Sequence, residues 1–351
     1  MATIYDVAKA AGVSPKTVSR VLNGDAPVNA KTREAVTKAI DLLGYVPSQA
    51  ARMMRSNRSG LIGLITGAIS QAPEPAAPSG KPDLLIVQGV QQKMAENGKI
   101  LMIADTGGRS DSVPMLARTF AQHRVEGLIY IADHHSRVDI DLGSVDCPMM
   151  LVNCFDAAAT PSVLPDDFTG EKQLVEQLLQ AGHRRIGFLT LDPIMPATPL
   201  RLDGYKAAHE AAGLTPDPDL VRQGFSKRSE DGQDLLIEAL EQLLGLGNPP
   251  TVICCGNDEM AMRVYGLLRS RGLRVPEDIS VAGYDDHRSI SVMLHPQLTT
   301  VTLPYTEMGH SAAQNLLDMI GGKAPAPGGP TLVRGPVVWR SSVTDRTTLQ
   351  S

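Results

Sequence analysis

Three side chains in the second half of the 351-residue chain have the chemistry to hold a polyol: Arg201 in PLRLDGYKAA, Phe225 behind a short apolar segment, and Asp258 in NDEMAM, directly after TVICCG. A guanidinium fork and a carboxylate can grip adjacent hydroxyls or a ring oxygen, and an aromatic face covers the apolar side of a pyranose. Each has a plainer use as well: a helix-terminal salt bridge for Arg201, a core ring for Phe225, a helix N-cap for Asp258. Asp133 and His134, in an Asp133-His134-His135 run at the end of a strand, and Asp285 in VAGYDDH could add hydrogen bonds to the same ligand. Asp166-Asp167 and Asp285-Asp286 read first as structural caps.

No metal is expected, because adjacent histidines diverge and no carboxylate or cysteine is spaced to complete a shell. Cys147, Cys154, Cys254 and Cys255 lack the two-residue spacing of zinc or redox pairs and read as buried thiols. No Gly-x-Gly-x-x-Gly follows a strand, and no Walker or nucleophile-elbow motif occurs; GLGNPP near Gly245 lacks the third glycine. Binding without catalysis, and without a cofactor, is the simpler reading.

A second constellation occupies residues 1–59. Nine basic side chains (Lys9, Lys16, Arg20, Lys31, Arg33, Lys38, Arg52, Arg55, Arg58) oppose Asp6, Asp25, Glu34 and Asp41, so the head carries +5 and the remaining residues −10 of the overall −5. A basic head on an acidic body suits a polyanion touched by the head alone. Thr3-Ile4-Tyr5-Asp6 reads as a capping box, Ile4, Val7, Ala8 and Ala11 as an apolar stripe, and Gly12 as a left-handed stop. Ser14 and Pro15 fit the N-cap and first position of a second helix running to about Asn23. A third, from near Asn29 to Gly44, should bury Ala35, Val36, Ala39, Ile40 and Leu43.

Two short helices joined by a glycine turn and braced by a third form a helix-turn-helix, whose second helix can enter a major groove. Behind Ser14, the side chains of Pro15, Lys16 and Thr17, with Arg20 one turn later, would face base edges. Thr3, Tyr5, Ser19, Asn23, Lys31 and Thr32 are placed to meet phosphates. A generic three-helix bundle with solvated lysines is the plainer alternative.

From residue 60 onward, strand-length apolar runs alternate with helical stretches. The first set comprises 61–65, a helix from Asp83, 100–104, a helix near 113–123, 127–131 and 149–152. The second comprises 185–189, a helix from Leu202, 220–225, a helix from Asp231, 252–255, a helix from Glu259 and 279–282. Such alternation makes parallel sheets covered on both faces, and two sets make two lobes. Ligands in such folds bind beyond the carboxyl ends of the strands. The expected fold is therefore α/β and two-lobed, with a small all-α head: domains at 1–46, 47–59 and 60–351. With 42% hydrophobic and 20% charged residues, no ~20-residue apolar run and no secretory signal in residues 1–20, the chain is expected in the cytoplasm.

The run TIYDVAKAAGVSPKTVSRVLNG, followed by VNAKTREAV and LGYVPSQAARMMRSNRSGLIG, resembles the DNA-binding head and hinge of the LacI/GalR family of bacterial transcriptional regulators, and family-like motifs recur through the body. The resemblance implies a periplasmic-binding-protein-like pair of lobes with an effector cleft between them. It implies a sequence-specific DNA-binding regulator, a repressor of carbohydrate-utilisation genes controlled by a sugar-like effector. It also implies a homodimer on a pseudo-palindromic operator, its interface running along both lobes and including the helix over 83–97. Arg201, Phe225 and Asp258 fall at the family's effector-contacting positions. A nucleoside is the alternative effector, since Phe225 could stack on a base and Leu303 is apolar where some sugar-responsive relatives carry a hydrogen-bonding group.

Residues 48–55, set off by Pro47, resemble the hinge that folds on DNA and inserts an apolar wedge into the minor groove, with Met54 where leucine is usual. The proline-rich stretch 70–82 is longer than expected of the family and could act as a lid. No leucine heptads follow Arg340, so a dimer is expected rather than a tetramer.

Overall fold

The computed structural model describes residues 2–24, 28–46, 58–67, 82–107, 109–139, 145–226, 232–324 and 329–347; the expected hinge with Met54, and residues 70–81 of the proline-rich stretch, lie outside them. The chain divides into two compact units, Met1–Gly60 and Leu61–Ser351.

In the first unit, α1 (Ile4–Ala11), α2 (Pro15–Asn23) and α3 (Ala30–Leu43) each begin on a capping side chain. The Thr3 amide and hydroxyl donate to Asp6 Oδ2 at 2.8 and 2.7 Å, and the Asp6 amide donates to Thr3 Oγ1 at 3.4 Å, which completes the capping box. Gly12, at φ 66°, ends α1 in a conformation that any side chain would strain. Ser14 accepts from the Thr17 amide at 3.2 Å with Pro15 at the first helical position, and Asn29 accepts from the Lys31 amide at 2.8 Å. Val7, Ala8, Val18, Val36 and Ala39 form the core of the head. Leu43 does not join it as expected and is 36% exposed. The chain turns back at Gly44, and Tyr45, its amide bonded to the Ile40 carbonyl at 3.0 Å, packs there instead.

The second unit contains two six-stranded sheets. The first is built from β1 (Leu61–Thr66), β2 (Ile100–Asp105), β3 (Gly127–Arg137), β4 (Met149–Phe155), β5 (Ser162–Pro165) and β11 (Thr331–Val333), in the order β11-β5-β4-β3-β1-β2 with every pairing parallel. The second is built from β6 (Ile186–Thr190), β7 (Val221–Gln223), β8 (Val252–Cys255), β9 (Ser280–Asp285), β10 (Thr299–Thr302) and β12 (Val337–Val338). Its order is β12-β10-β9-β8-β6-β7, parallel except for β12 against β10. β6 and β8 are buried along their whole length and apolar but for Thr190, as sheets covered on both faces require. Both sheets wind the same way, so each has a switch point, between β1 and β3 and between β6 and β8. The crevice at the carboxyl ends of those strands is where such folds take ligands.

Helices tie the lobes together. α4 (Pro82–Glu96) and α5 (Val113–Gln122) belong to the first lobe, and α7 (Ala197–Ala211), α8 (Gly232–Leu244), α9 (Asp258–Ser270) and the short α10 (Arg288–Ser291) to the second. After β5 the chain passes into α6 (Asp167–Gln180), which packs on α7; after β10 it returns in α11 (Tyr305–Ile320), which packs on α4. The β11–β12 connection crosses a third time.

Several sequence expectations shift. α7 starts at Ala197 rather than Leu202, because Pro199 sits in the first turn, where a missing amide is tolerated. α9 starts at Asp258, with Asn257 as its cap. β3 does not end at Asp133 but runs on to Arg137, with a register break between Ile131 and Ser136. Cys154, Cys254 and Cys255 are buried and Cys147 half-buried, all four free thiols. No helix among the described residues is long and apolar enough to cross a membrane.

Candidate functional site

In the second unit, the polar side chains converge where α6 and α7 meet the carboxyl ends of β6, β8 and β9. Arg201, 4% exposed, donates through Nε to Asp167 Oδ1 at 2.8 Å and through Nη1 to the Gly256 carbonyl at 2.6 Å, and its guanidinium lies 3.6 Å above the Tyr284 ring. Asp167 also meets His135 Nδ1 at 2.9 Å. Burial alone would raise the Asp167 carboxyl, but the Arg201 charge and the His135 hydrogen bond outweigh it and hold Asp167 below its usual range. His135 belongs to β3 of the first sheet, so the chain His135–Asp167–Arg201 links the two lobes.

Asp258 is fully buried, accepting from Thr300 Oγ1 at 2.6 Å and from the His287 amide at 2.8 Å. Gly283 permits this: a side chain there would run into Asp258 Oδ1. Burial pushes the Asp258 carboxyl up to about 7, with the Thr300 and His287 hydrogen bonds opposing it. Asp285, at φ 127°, is half-buried, and its carboxyl has no hydrogen-bond partner among the described residues. Burial raises it well above its ordinary value, against the pull of Arg201. A non-glycine residue in that backbone region costs about 1–3 kcal/mol and is commonly held where function needs it. Asp286 instead is structural, its Oδ1 accepting from Arg340 Nη2 at 2.6 Å and from Ser291 Oγ at 2.8 Å.

The structure thus brings Arg201, Asp258 and Asp285 together around Gly256. Phe225 stands beside them at the end of β7, half-buried against the Leu236–Met260 core, with the neighbouring Gly224 amide bonded to the Thr190 carbonyl at 2.9 Å. Asp133 and His134 lie in the other lobe on β3, paired at 2.6 Å with side chains 47% and 36% exposed. Asp166 caps α6 by accepting from the Thr169 amide at 3.1 Å. Two participants were not singled out from the sequence, His135 as the holder of Asp167 and Glu171. The available signal was the i, i+4 spacing of Asp167 and Glu171, which puts both on one face of a helix capped by Asp166. An ionised carboxylate, raised carboxyls and an arginine supply both donors and acceptors, the complement of a hydroxylated ligand. Among the described residues no group of three or more His, Cys, Asp or Glu is placed to hold a metal.

In the first unit, α2 presents Lys16 and Arg20, both exposed and one turn apart, with Pro15 and Thr17 half-buried beside them. Ser14 and Thr17 hydroxyls lie 3.0 Å apart, so the helix start is tied down by its own polar groups. Thr3, Tyr5, Ser14 and Lys31 are exposed and Thr32 half-buried. Ser19 departs from expectation: it is 7% exposed, turned with Val18 toward the core side of α2, so its side chain is not presented to a phosphate.

Comparison with known proteins bears on both units. Residues 3–48 match the family model described as bacterial regulatory proteins, lacI family, and residues 175–343 match a periplasmic binding protein-like domain. The chain is 34% identical to the HTH-type transcriptional repressor PurR of Haemophilus influenzae over 322 residues, 91% of each chain. It is 32% identical to the ribose operon repressor of the same species, covering 98% of this chain and 99% of that one. Among solved structures, the lac repressor dimer bound to operator and the anti-inducer ONPF superposes with a TM-score of 0.73 at 28% identity, covering 98% of this chain and 99% of that one.

Proposed function

The chain belongs to the LacI family of bacterial regulatory proteins, and from that premise we propose that it is a transcriptional repressor of carbohydrate-utilisation genes, acting in the cytoplasm as a homodimer on a pseudo-palindromic operator. The observation that carries the reading is the head: two capped helices and a brace that leave Lys16 and Arg20 exposed on one face of α2. In this reading Pro15, Lys16, Thr17 and Arg20 address bases, while Thr3, Tyr5, Ser14, Lys31 and Thr32 fix register on the phosphates. Asn23 and Met54 keep their sequence-derived assignments to phosphate and minor groove.

A small sugar-like effector binds by engaging Arg201 and Asp285, with Phe225 covering its apolar face and Asp133 and His134 reaching it from the other lobe; Asp258, read from the sequence as a ligand contact, is fully buried on Thr300 and His287 and acts from behind them. Effector binding changes operator affinity through a coupling of about 1–3 kcal/mol. The resemblance to PurR supports a purine or nucleoside as the second candidate, stacked on Phe225. Binding and regulation, rather than catalysis, are the activity. A thermal-shift screen of the full chain against monosaccharides, disaccharides and purines tests the cleft; a response to none of these refutes the assignment. Lys16→Ala with Arg20→Ala tests the head: operator affinity should fall and the slope of log affinity against log salt should shrink by about 2.

A further inference from the structure

On the far edge of the first sheet, away from β6, β8 and β9, lies a cavity of about 930 Å³. Its floor is the β4–β5–β11 edge, one wall is the last turn of α11, and the other is the start of α7. The surface is largely apolar: Met150, Phe155, Leu164, Pro199 and Met319 line it. Most polar side chains there are already engaged, with Asp156 on Thr160 at 2.6 Å, Asn315 on Thr331 at 3.0 Å and Asp318 on Lys323 at 2.9 Å.

His135 is the exception. It lines the cavity, is 8% exposed and stands edge-on to Phe155 with ring centroids 5.9 Å apart. Its Nδ1 meets Asp167 Oδ2 at 2.9 Å, and Nε2 has no hydrogen-bond partner among the described residues. A carboxylate oxygen only accepts, so Nδ1 carries the proton donated to Asp167, and in that tautomer of the imidazole Nε2 is a lone-pair acceptor. Open to the cavity rather than sealed in the core, Nε2 can take a hydrogen bond from a ligand that supplies one donor while filling the apolar space.

We propose that this cavity is a second small-molecule site, separate from the cleft around Gly256, for a flat apolar ring bearing one hydrogen-bond donor, the donor bonding to His135 Nε2 and the ring packing between Phe155 and Met319. The site does not depend on the DNA-binding reading. It is built into the ion pair that secures Arg201, because the same histidine holds Asp167 through its other nitrogen.

The test is calorimetric titration of the full chain with 4-methylphenol and, separately, with its methyl ether, which has the same ring but no donor. The phenol should bind saturably with one site per chain, and the ether at least tenfold more weakly. His135→Phe should erase the preference for the phenol. Met319→Trp, which fills the cavity without touching the histidine, should abolish binding of the phenol. Absence of saturable binding, equal affinity for phenol and ether, or unchanged binding in Met319→Trp each overturns the proposal. Circular dichroism of both variants establishes that they are folded, so that a lost signal reports the site.

Discussion

Replacing Glu171 by glutamine should change how stability depends on pH. Glu171 is 1% exposed on α6, one turn beyond Asp167, and its Oε1 has no partner among the described residues. Burial, opposed by Arg201 and reinforced by Asp167, pushes its carboxyl from an ordinary 4.5 to about 8. Below pH 4.5 folded and unfolded chains both hold the proton, and the group's contribution is fully present. As pH rises from 4.5 to about 8 the unfolded chain releases the proton while the folded chain keeps it, so stability falls by about 1.4 kcal/mol per pH unit. Above pH 8 both forms release it and the loss is complete.

Between pH 6 and 9 this one residue should remove roughly 2–3 kcal/mol from the wild type. Glutamine does not titrate, and its buried amide shifts stability by the same amount at every pH. Urea denaturation of wild type and Glu171→Gln at pH 6, 7, 8 and 9 measures the difference. The variant should gain on the wild type by 2–3 kcal/mol across that range; curves that stay parallel refute the reasoning.

Three further outcomes follow from the geometry. Arg201→Met strands the buried Asp167 carboxylate and should cost about 3–5 kcal/mol at neutral pH, with much of the loss recovered in acid as Asp167 protonates, read from denaturation midpoints. Thr3→Ala deletes the capping box of α1 and should lower the stability of the head by about 1 kcal/mol, seen as earlier melting of its amide signals while those of residues 61–347 are unchanged. Gly204→Ala places a methyl against the Phe168 carbonyl at the α6–α7 crossing, so it should cost about 1–3 kcal/mol, whereas an alanine at the unobstructed Gly266 should not.

Much of the head was legible because its signals are local. Thr3 with Asp6, Ser14 with Pro15, and Gly12 and Gly44 act within four residues of themselves, and each does in the structure what its spacing implies. Leu43 and Ser19 depended instead on where the chain turns and which way α2 faces. In the body, the alternation of apolar runs revealed two parallel sheets, but α6, α11 and the short strands β5, β10, β11 and β12 did not stand out. Their boundaries are set by crossovers between lobes, a non-local property. Asp258 and Asp285 were picked from their positions after apolar runs and Arg201 from its place at the start of a helix, and the three do lie close around Gly256. That Arg201 is gripped by Asp167, itself held by His135, could not be read, since these residues lie 34 and 66 positions before Arg201 in sequence and meet only through packing.

The central claim is that the basic head holds duplex DNA while the two-lobed body senses a small metabolite. Fluorescence anisotropy of the full chain with labelled fragments from its own promoter region, in dilute buffer and with each metabolite from the thermal-shift screen, tests it most directly. Saturable binding that weakens steeply with salt, shifts with one metabolite and vanishes when residues 1–59 are removed is the expected result. Fragments that go unbound in every condition, or that bind equally well without residues 1–59, contradict it.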